Sequence, residues 1–302
     1  MSVHENIQPS LASGRLIGFA ACLTTVLFWG GNTIVTKAAA GEISPTSVSF
    51  YRWSIALIIV LPIFGPAAWR ERRNCIRCWK QLLTLSALSM VIYQGLAYKA
   101  AETTSAVNMG VMLALMPLFS SILAAALMSQ PLTRSSVAGG IISLIGLIFL
   151  TSKGHPLILI QNGLHLGDGL MLIAVLSNAL FGVLVKRWNL PISVKAQIFC
   201  QIVCATVMLL PLFLAGPISP ITATNIPMIL YAAILASLLA PMLWMFGIHQ
   251  LGPFRSSLFI NLVPIVVALL AWKLLGERLE AYHLIGGAVA LAGVGVGLRS
   301  KH

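Results

Sequence analysis

Charged residues are scarce in this sequence. They make up 9% of the 302 residues, whereas soluble domains carry about 25%. Hydrophobic residues make up 58% and occur in blocks long enough to cross a hydrocarbon layer, which takes about 20 residues per helix. The composition argues against a soluble enzyme and predicts an all-α membrane protein.

Acidic residues are the rarest charged type. All seven lie in predicted loops or at helix ends, so we expect no buried acid within the spans. Five cysteines are an odd set without a disulfide framework, and Cys75 and Cys78 have metal-ligand spacing without a second pair nearby. We therefore expect no metal and no cofactor.

Catalytic motifs are also missing. His165-Leu166-Gly167-Asp168 is a near miss to the GxGD sequence of intramembrane aspartyl proteases, but the chain has no second aspartate to complete a dyad. No HExxH helix or GxSxG elbow occurs. An intramembrane enzyme therefore remains the weaker alternative to a transporter.

The net charge of +12 is distributed between the hydrophobic blocks, where it indicates topology and not nucleic-acid binding. After a polar leader, 1–15, the blocks predict ten helices, at 16–37, 46–66, 81–98, 104–128, 135–151, 167–187, 193–215, 227–248, 255–275 and 282–298. Thirteen Lys and Arg residues fall on one side and five on the other, with Arg52 inside a span. The positive-inside tendency places the richer side, and both termini, in the cytoplasm.

An internal repeat relates the two parts of the chain. With a shift of 147 positions, Pro117 aligns with Pro264, Gly146 with Gly293, and the glycine pair at 139–140 with the pair at 286–287. Two repeats, 16–151 and 167–298, each hold five helices, so the second must enter the membrane in the opposite sense. Inverted repeats are typical of secondary transporters, which bind substrate near the midplane.

The sequence resembles the EamA-type transporters of the drug/metabolite transporter superfamily. The resemblance rests on Trp29-Gly30 with Lys37, Phe50-Tyr51-Arg52-Trp53, Met116-Pro117, Val263-Pro264, Gly276-Glu277-Arg278-Leu279 and the glycine pairs. Within the superfamily it is most similar to the YddG-type amino-acid exporters. The likeness implies export of small metabolites, in particular neutral or aromatic amino acids, across a bacterial inner membrane; the alternative within transporters is export of another metabolite or drug class. One departure is Gln130, where the other repeat has Glu277.

Neutral polar and aromatic residues within the spans are the candidate substrate contacts. They suit a zwitterion with an apolar side chain, such as a neutral or aromatic amino acid; helix packing is the alternative for each of them. The candidates are Trp29, Asn32, Tyr93, Asn108, Met112, Asn178, Trp244 and Asn261.

Arg52 is the one basic residue clearly inside a span. It either snorkels to the external end of its helix, pairs with Glu42 or Glu102, or binds a substrate carboxylate. Pro117 and Pro264 lie near the middle of two spans and are candidate hinges, or static kinks. Small residues in the fifth and tenth spans predict a scaffold contact or a dimer face, and the chain is expected to be a monomer or a homodimer.

Overall fold

The computed structural model describes residues 11–128, 134–155, 165–251, 256, 259–260 and 262–298. Within these ranges the chain is helical and contains no strand. The helices, numbered in chain order, are α1 (Leu11–Ala39), α2 (Pro45–Arg70), α3 (Arg72–Arg77), α4 (Trp79–Ser86), α5 (Tyr93–Ala100), α6 (Ala106–Leu113), α7 (Met116–Met128), α8 (Arg134–Thr151), α9 (Leu166–Trp188), α10 (Val194–Ala215), α11 (Ile226–Leu230), α12 (Ala240–Leu251), α13 (Val263–Leu270) and α14 (Ala281–Leu298).

Among the described residues, six helical segments are long and apolar enough to cross a membrane, and three shorter apolar helices accompany them, at Val137–Leu150, Val263–Leu275 and Ala281–Val296. The outward side chains are large and apolar: Ile58 is 70% exposed and Val207 is 65% exposed. Such a surface is stable against lipid, where helices satisfy their own backbone groups. α1 begins at Leu11, inside the stretch predicted as a leader.

Three π-helical segments interrupt the regular helices in the described ranges. π1 (Ala87–Ile92) joins α4 to α5, π2 (Tyr231–Leu239) joins α11 to α12, and π3 (Ala271–Leu275) follows α13. In π2, the Ser237 hydroxyl donates to the carbonyl of Ala232, five residues earlier. Segments of this kind are frequent at functional sites.

Local sequence explains where several helices start and stop. Ser44, Ser105 and Ser193 are N-caps whose side chains accept a backbone N–H in the first turn of α2, α6 and α10. At the other end, Asn189 after α9 and Gly276 after π3 adopt left-handed conformations, with φ of 37° and 67°.

The helices associate in a small number of close pairs: α8 with α14, α2 with α10, α1 with α12, and α9 with α5. The α8–α14 contact is the closest because glycines line it. A Cβ added to Gly146 would lie 2.4 Å from the backbone nitrogen of Ala290, and one added to Gly293 would lie 2.4 Å from that of Ser143. The glycines predicted as a scaffold or a dimer face thus pack within the chain.

Candidate functional site

Arg52 is buried in the middle of a polar cluster formed by three helical spans. Its side chain is only 2% exposed. Nε donates to the Ser237 hydroxyl at 2.7 Å, and Nη1 donates to Gln94 Oε1 at 2.8 Å and to the Tyr98 hydroxyl at 3.2 Å. The guanidinium carbon also lies 5.4 Å from the ring centroid of Trp53. α2, α5 and π2 therefore meet at this one cation.

The predicted pairing of Arg52 with an acid is wrong. Glu102 instead forms an ion pair with Lys99, 2.5 Å between Oε2 and Nζ, and Glu42 is exposed. The described residues give Arg52 only neutral acceptors, because the side chains that reach it are an amide and two hydroxyls. They provide no hydrogen-bond acceptor for Nη2, so the arginine keeps both its charge and donor capacity for another group.

The aromatic and amide candidates fall into separate places. Trp29 and Trp244 contact each other, with ring centroids 5.5 Å apart. Tyr93 packs against an apolar cluster that includes the fully buried Met112. The Asn178 amide donates to Met116 Sδ at 3.5 Å.

Two further amides matter because their oxygens lack partners. The Oδ1 atoms of Asn32 and Asn108 are buried and accept no hydrogen bond from the part of the chain that the structure describes. A buried acceptor without a donor is unfavourable by about 1–3 kcal/mol, so each is a candidate contact for a ligand N–H. Asn261 lies outside the described residues.

Each proline predicted as a hinge follows an interruption of its helix. α6 ends at Leu113, and the N–H of Leu115 bonds the carbonyl of Met112 three residues back, before α7 begins with Met116 and Pro117. Likewise, the N–H of Leu262 bonds the carbonyl of Phe259, and Pro264 is in the first turn of α13. The single helix predicted over 104–128 is therefore two segments.

A polar cavity of about 440 Å³ lies at the end of the bundle where α1 and α8 end and α6, α9 and α14 begin. Its lining includes Lys37, Asn108, Lys153, Asp168, Glu277 and His283. Asn108 is the one predicted substrate contact among its lining residues. The cavity thus gathers charges of both signs at one mouth of the helix bundle.

Two charged residues of this cavity hold the start of α6. Lys37 Nζ donates to the carbonyls of Ala101 and Thr104, each at 2.7 Å. Glu277 accepts the backbone N–H of Ala106 at 2.8 Å and that of Val107 at 3.2 Å, which places a carboxylate at the positive end of the helix dipole.

The expectation of no buried acid was wrong. Asp168 is 1% exposed and accepts hydrogen bonds from the Thr104 hydroxyl and, at 3.4 Å, from the Asn108 amide. A carboxylate in the first turn of a helix suggests exposure to solvent. Here the turn is covered: a Cβ on the neighbouring Gly167 would lie 2.7 Å from the carbonyl of Ala100, so the glycine was a sequence signal for this close approach.

These features define a multi-pass α-helical membrane protein with two polar sites among its helices. The sequence profile of the EamA-like transporter family matches the chain twice, over residues 16–152 and 165–298. The chain therefore belongs to the EamA-like transporter family.

Several curated relatives align over nearly the whole chain. The uncharacterized transporter YyaM of Bacillus subtilis is 25% identical, over 92% of this chain and 90% of its own. Protein PecM of Dickeya dadantii is 27% identical, over 85% and 84%. A Streptantibioticus cattleyicolor protein named "probable terminal-alkyne amino-acid exporter" is 24% identical, over 91% of each. A crystal structure aligns with a TM-score of 0.60 at 16% identity, covering 96% of this chain and 99% of the other, which is a likeness of fold alone.

Proposed function

We propose that the protein is a secondary transporter that exports small metabolites, in particular neutral or aromatic amino acids, across a bacterial inner membrane by alternating access. Family membership supports the transporter class, and the similarity to a protein named as an amino-acid exporter supports the substrate class. As in the YddG-type exporters that the sequence resembles, the substrate lies between the two halves of the chain.

Arg52 is the observation that carries the substrate class. An arginine inside a membrane span is expensive, and such residues usually face the interior and have a functional partner. Its neutral neighbours hold the guanidinium by Nε and Nη1 without neutralising it. A substrate carboxylate at Nη2 supplies the missing negative charge through a charge-assisted hydrogen bond.

The helix pairs support two inverted halves that move against each other. α1 packs on α12, and α9 packs on α5. In the internal repeat α1 corresponds to α9 and α5 corresponds to α12, so exchanging the two halves turns one pair into the other. α2 with α10, and α8 with α14, join each helix to its own counterpart. Substrate sites of inverted-repeat transporters lie between such halves.

Counterflow in proteoliposomes preloaded with L-phenylalanine tests the proposal. We expect the wild type to exchange labelled L-phenylalanine unchanged, and Arg52→Lys to lower the exchange by about tenfold or more, because a lysine cannot hold the forked contacts and still offer a donor. Arg72→Lys is the matched control, since Arg72 is an exposed arginine outside the cluster.

The outcomes separate the alternatives. If Arg52→Lys exchanges L-phenylalanine at the normal rate, Arg52 is not part of the substrate site. Exchange of other metabolites but no amino acid changes the substrate class. Recovery of a chemically altered compound would establish an enzyme instead.

A further inference from the structure

Thr104 brings opposite charges together on the wall of the polar cavity. Its carbonyl accepts from Lys37 Nζ at 2.7 Å, and its hydroxyl donates to Asp168 Oδ1. A lysine ammonium and a buried carboxylate therefore each contact an atom of the same residue. An α-amino acid carries the same two charges on adjacent groups.

Each of the two charged groups keeps bonding capacity that its described neighbours do not use. The Lys37 ammonium has three N–H donors, and two of them are bound by the carbonyls of Ala101 and Thr104. Both described hydrogen bonds of Asp168 go to Oδ1 and none to Oδ2. One N–H donor of Lys37 and the Oδ2 atom of Asp168 therefore remain available to a ligand.

Asn108 adds an acceptor to the same wall. Its Oδ1 is buried without a hydrogen-bond donor. The amide cannot turn over to hide this oxygen, because its Nδ2 faces Asp168 Oδ1 at 3.4 Å and a turned amide would place two acceptors together. This oxygen is therefore available to accept a hydrogen bond from an N–H group of a ligand.

We propose that this cavity is a second substrate site, separate from Arg52, that recognises the paired ammonium and carboxylate of an α-amino acid. The ligand ammonium binds Asp168 Oδ2 and Asn108 Oδ1, and the ligand carboxylate binds the third donor of Lys37. A volume of about 440 Å³ is within the range of small-molecule sites. The inference rests on the proposed transport of amino acids and adds to it a requirement for the amino group.

Equilibrium binding of L-phenylalanine and 3-phenylpropanoate to the purified protein tests the site, because the two acids differ only in the amino group. We expect the wild type to prefer L-phenylalanine. Asp168→Asn should lower the ratio of the two affinities by about tenfold or more, and leave 3-phenylpropanoate binding unchanged. The asparagine retains an oxygen that can accept the hydrogen bond of the Thr104 hydroxyl, so this contact is kept in the variant.

Asn108→Leu is a second variant and should change the ratio in the same direction. Glu102→Gln is the matched control, an acid-to-amide change at an exposed residue at the same end of the bundle. By contrast, Arg52→Lys should weaken both acids only where they bind Arg52, because both carry a carboxylate, and should leave the preference of the cavity for L-phenylalanine unchanged.

Three results would overturn the site. Equal affinity of the wild type for the two acids removes the ammonium contact but leaves a carboxylate transporter. An unchanged ratio in Asp168→Asn and Asn108→Leu, with both variants monodisperse, places amine recognition elsewhere. Failure of the wild type to bind either acid removes this site and the proposed amino-acid transport together.

Discussion

At the scale of single residues, Glu71 joins the corner between α2 and α3 to the start of α10. Hydrogen bonds from the Ser193 side chain and from its backbone N–H, the latter 2.7 Å from Oε2, lower the pKa of Glu71 from its ordinary value. A depressed pKa means that the carboxylate stabilises the fold when ionised. This contribution is present above the unfolded value of about 4.3 and is lost as the pH falls through the lower, folded value.

Glu71→Gln should therefore lower the thermal stability of the purified protein at pH 7 and have less effect once the pH falls below about 4. Melting curves in detergent at a series of pH values provide the measurement. Glu42→Gln is the control, because Glu42 is an exposed acid without this contact. A difference between wild type and Glu71→Gln that stays constant from pH 7 to pH 3 would contradict the linkage.

The sequence predicted part of the candidate site at this scale. Arg52 was evident because it is a lone basic residue in an apolar block. Its partners were not, because Gln94, Tyr98 and Ser237 lie on other spans and reach it only through helix packing. Asp168 was misjudged for the same reason: its position at a helix end is local, whereas its burial depends on the Ala100–Thr104 turn of the other half.

At the scale of helices, the interruptions before Pro117 and Pro264 sharpen the hinge prediction. A proline in the first turn of a helix removes an N–H that would have no partner there, so Pro→Ala costs little stability. Alanine also allows the two segments to join into a continuous helix, which stiffens the interruption. Pro117→Ala and Pro264→Ala should thus bind substrate almost normally and turn over several-fold more slowly.

Transport rates at saturating substrate, compared with equilibrium affinities, measure this effect. Pro211→Ala is the control, since Pro211 lies inside α10 away from the interruptions. The two hinge variants need not be equal, because Asn261 precedes Pro264 by one turn whereas Ala114 occupies that position before Pro117. Normal turnover in both would make the prolines static architecture.

The glycine contact between α8 and α14 predicts that a Gly→Ala substitution there lowers the stability of the protein. Gly146→Ala places a methyl group within 3 Å of three backbone atoms of α14, so the helices must separate, at a cost of about 1–3 kcal/mol. Gly295→Ala is a matched control in α14, because its Cβ meets nothing within 4 Å and alanine favours helix. The fraction of each variant that stays monodisperse after heating to a series of temperatures measures the difference in stability. Equal curves for Gly146→Ala and Gly295→Ala would contradict this close contact.

Hydropathy located the six long apolar helices and the three shorter ones found among the described residues, since span length and composition are properties of the local sequence. The π-helical segments and the interruption at Ala114–Leu115 were not predictable in this way. A π-helix differs from an α-helix by one residue per turn, and its side chains remain apolar throughout Tyr231–Leu239 except for Ser237. Tertiary contacts determine these irregularities, as the Arg52–Ser237 hydrogen bond illustrates.

At the scale of the whole molecule, the unequal distribution of Lys and Arg predicts which face meets the cytoplasm. Cys75 and Cys78 lie in the basic segment 70–80, which is predicted to face the cytoplasm, but are only 8% and 7% exposed, which makes them poor targets for labelling. Cysteines introduced at two exposed positions serve better: Arg73→Cys in that segment and Glu102→Cys at the opposite end.

An impermeant maleimide applied to intact cells should label Glu102→Cys and leave Arg73→Cys unmodified, and inside-out vesicles should give the reverse. The unaltered chain, with its five native cysteines, gives the background. The opposite pattern would invert the orientation of the transporter and place the polar cavity on the cytoplasmic side.

The backbone contact between α8 and α14 also limits how such a molecule can change shape. Gly146 and Gly293 bring the two helices so close that neither can slide or roll past the other without lifting over a ridge of backbone. In the alternating-access cycle proposed above, this pair would be the fixed axis, and the remaining helices of each half would rotate about it. A small rotation at the axis would then give a larger displacement at the far end of the bundle.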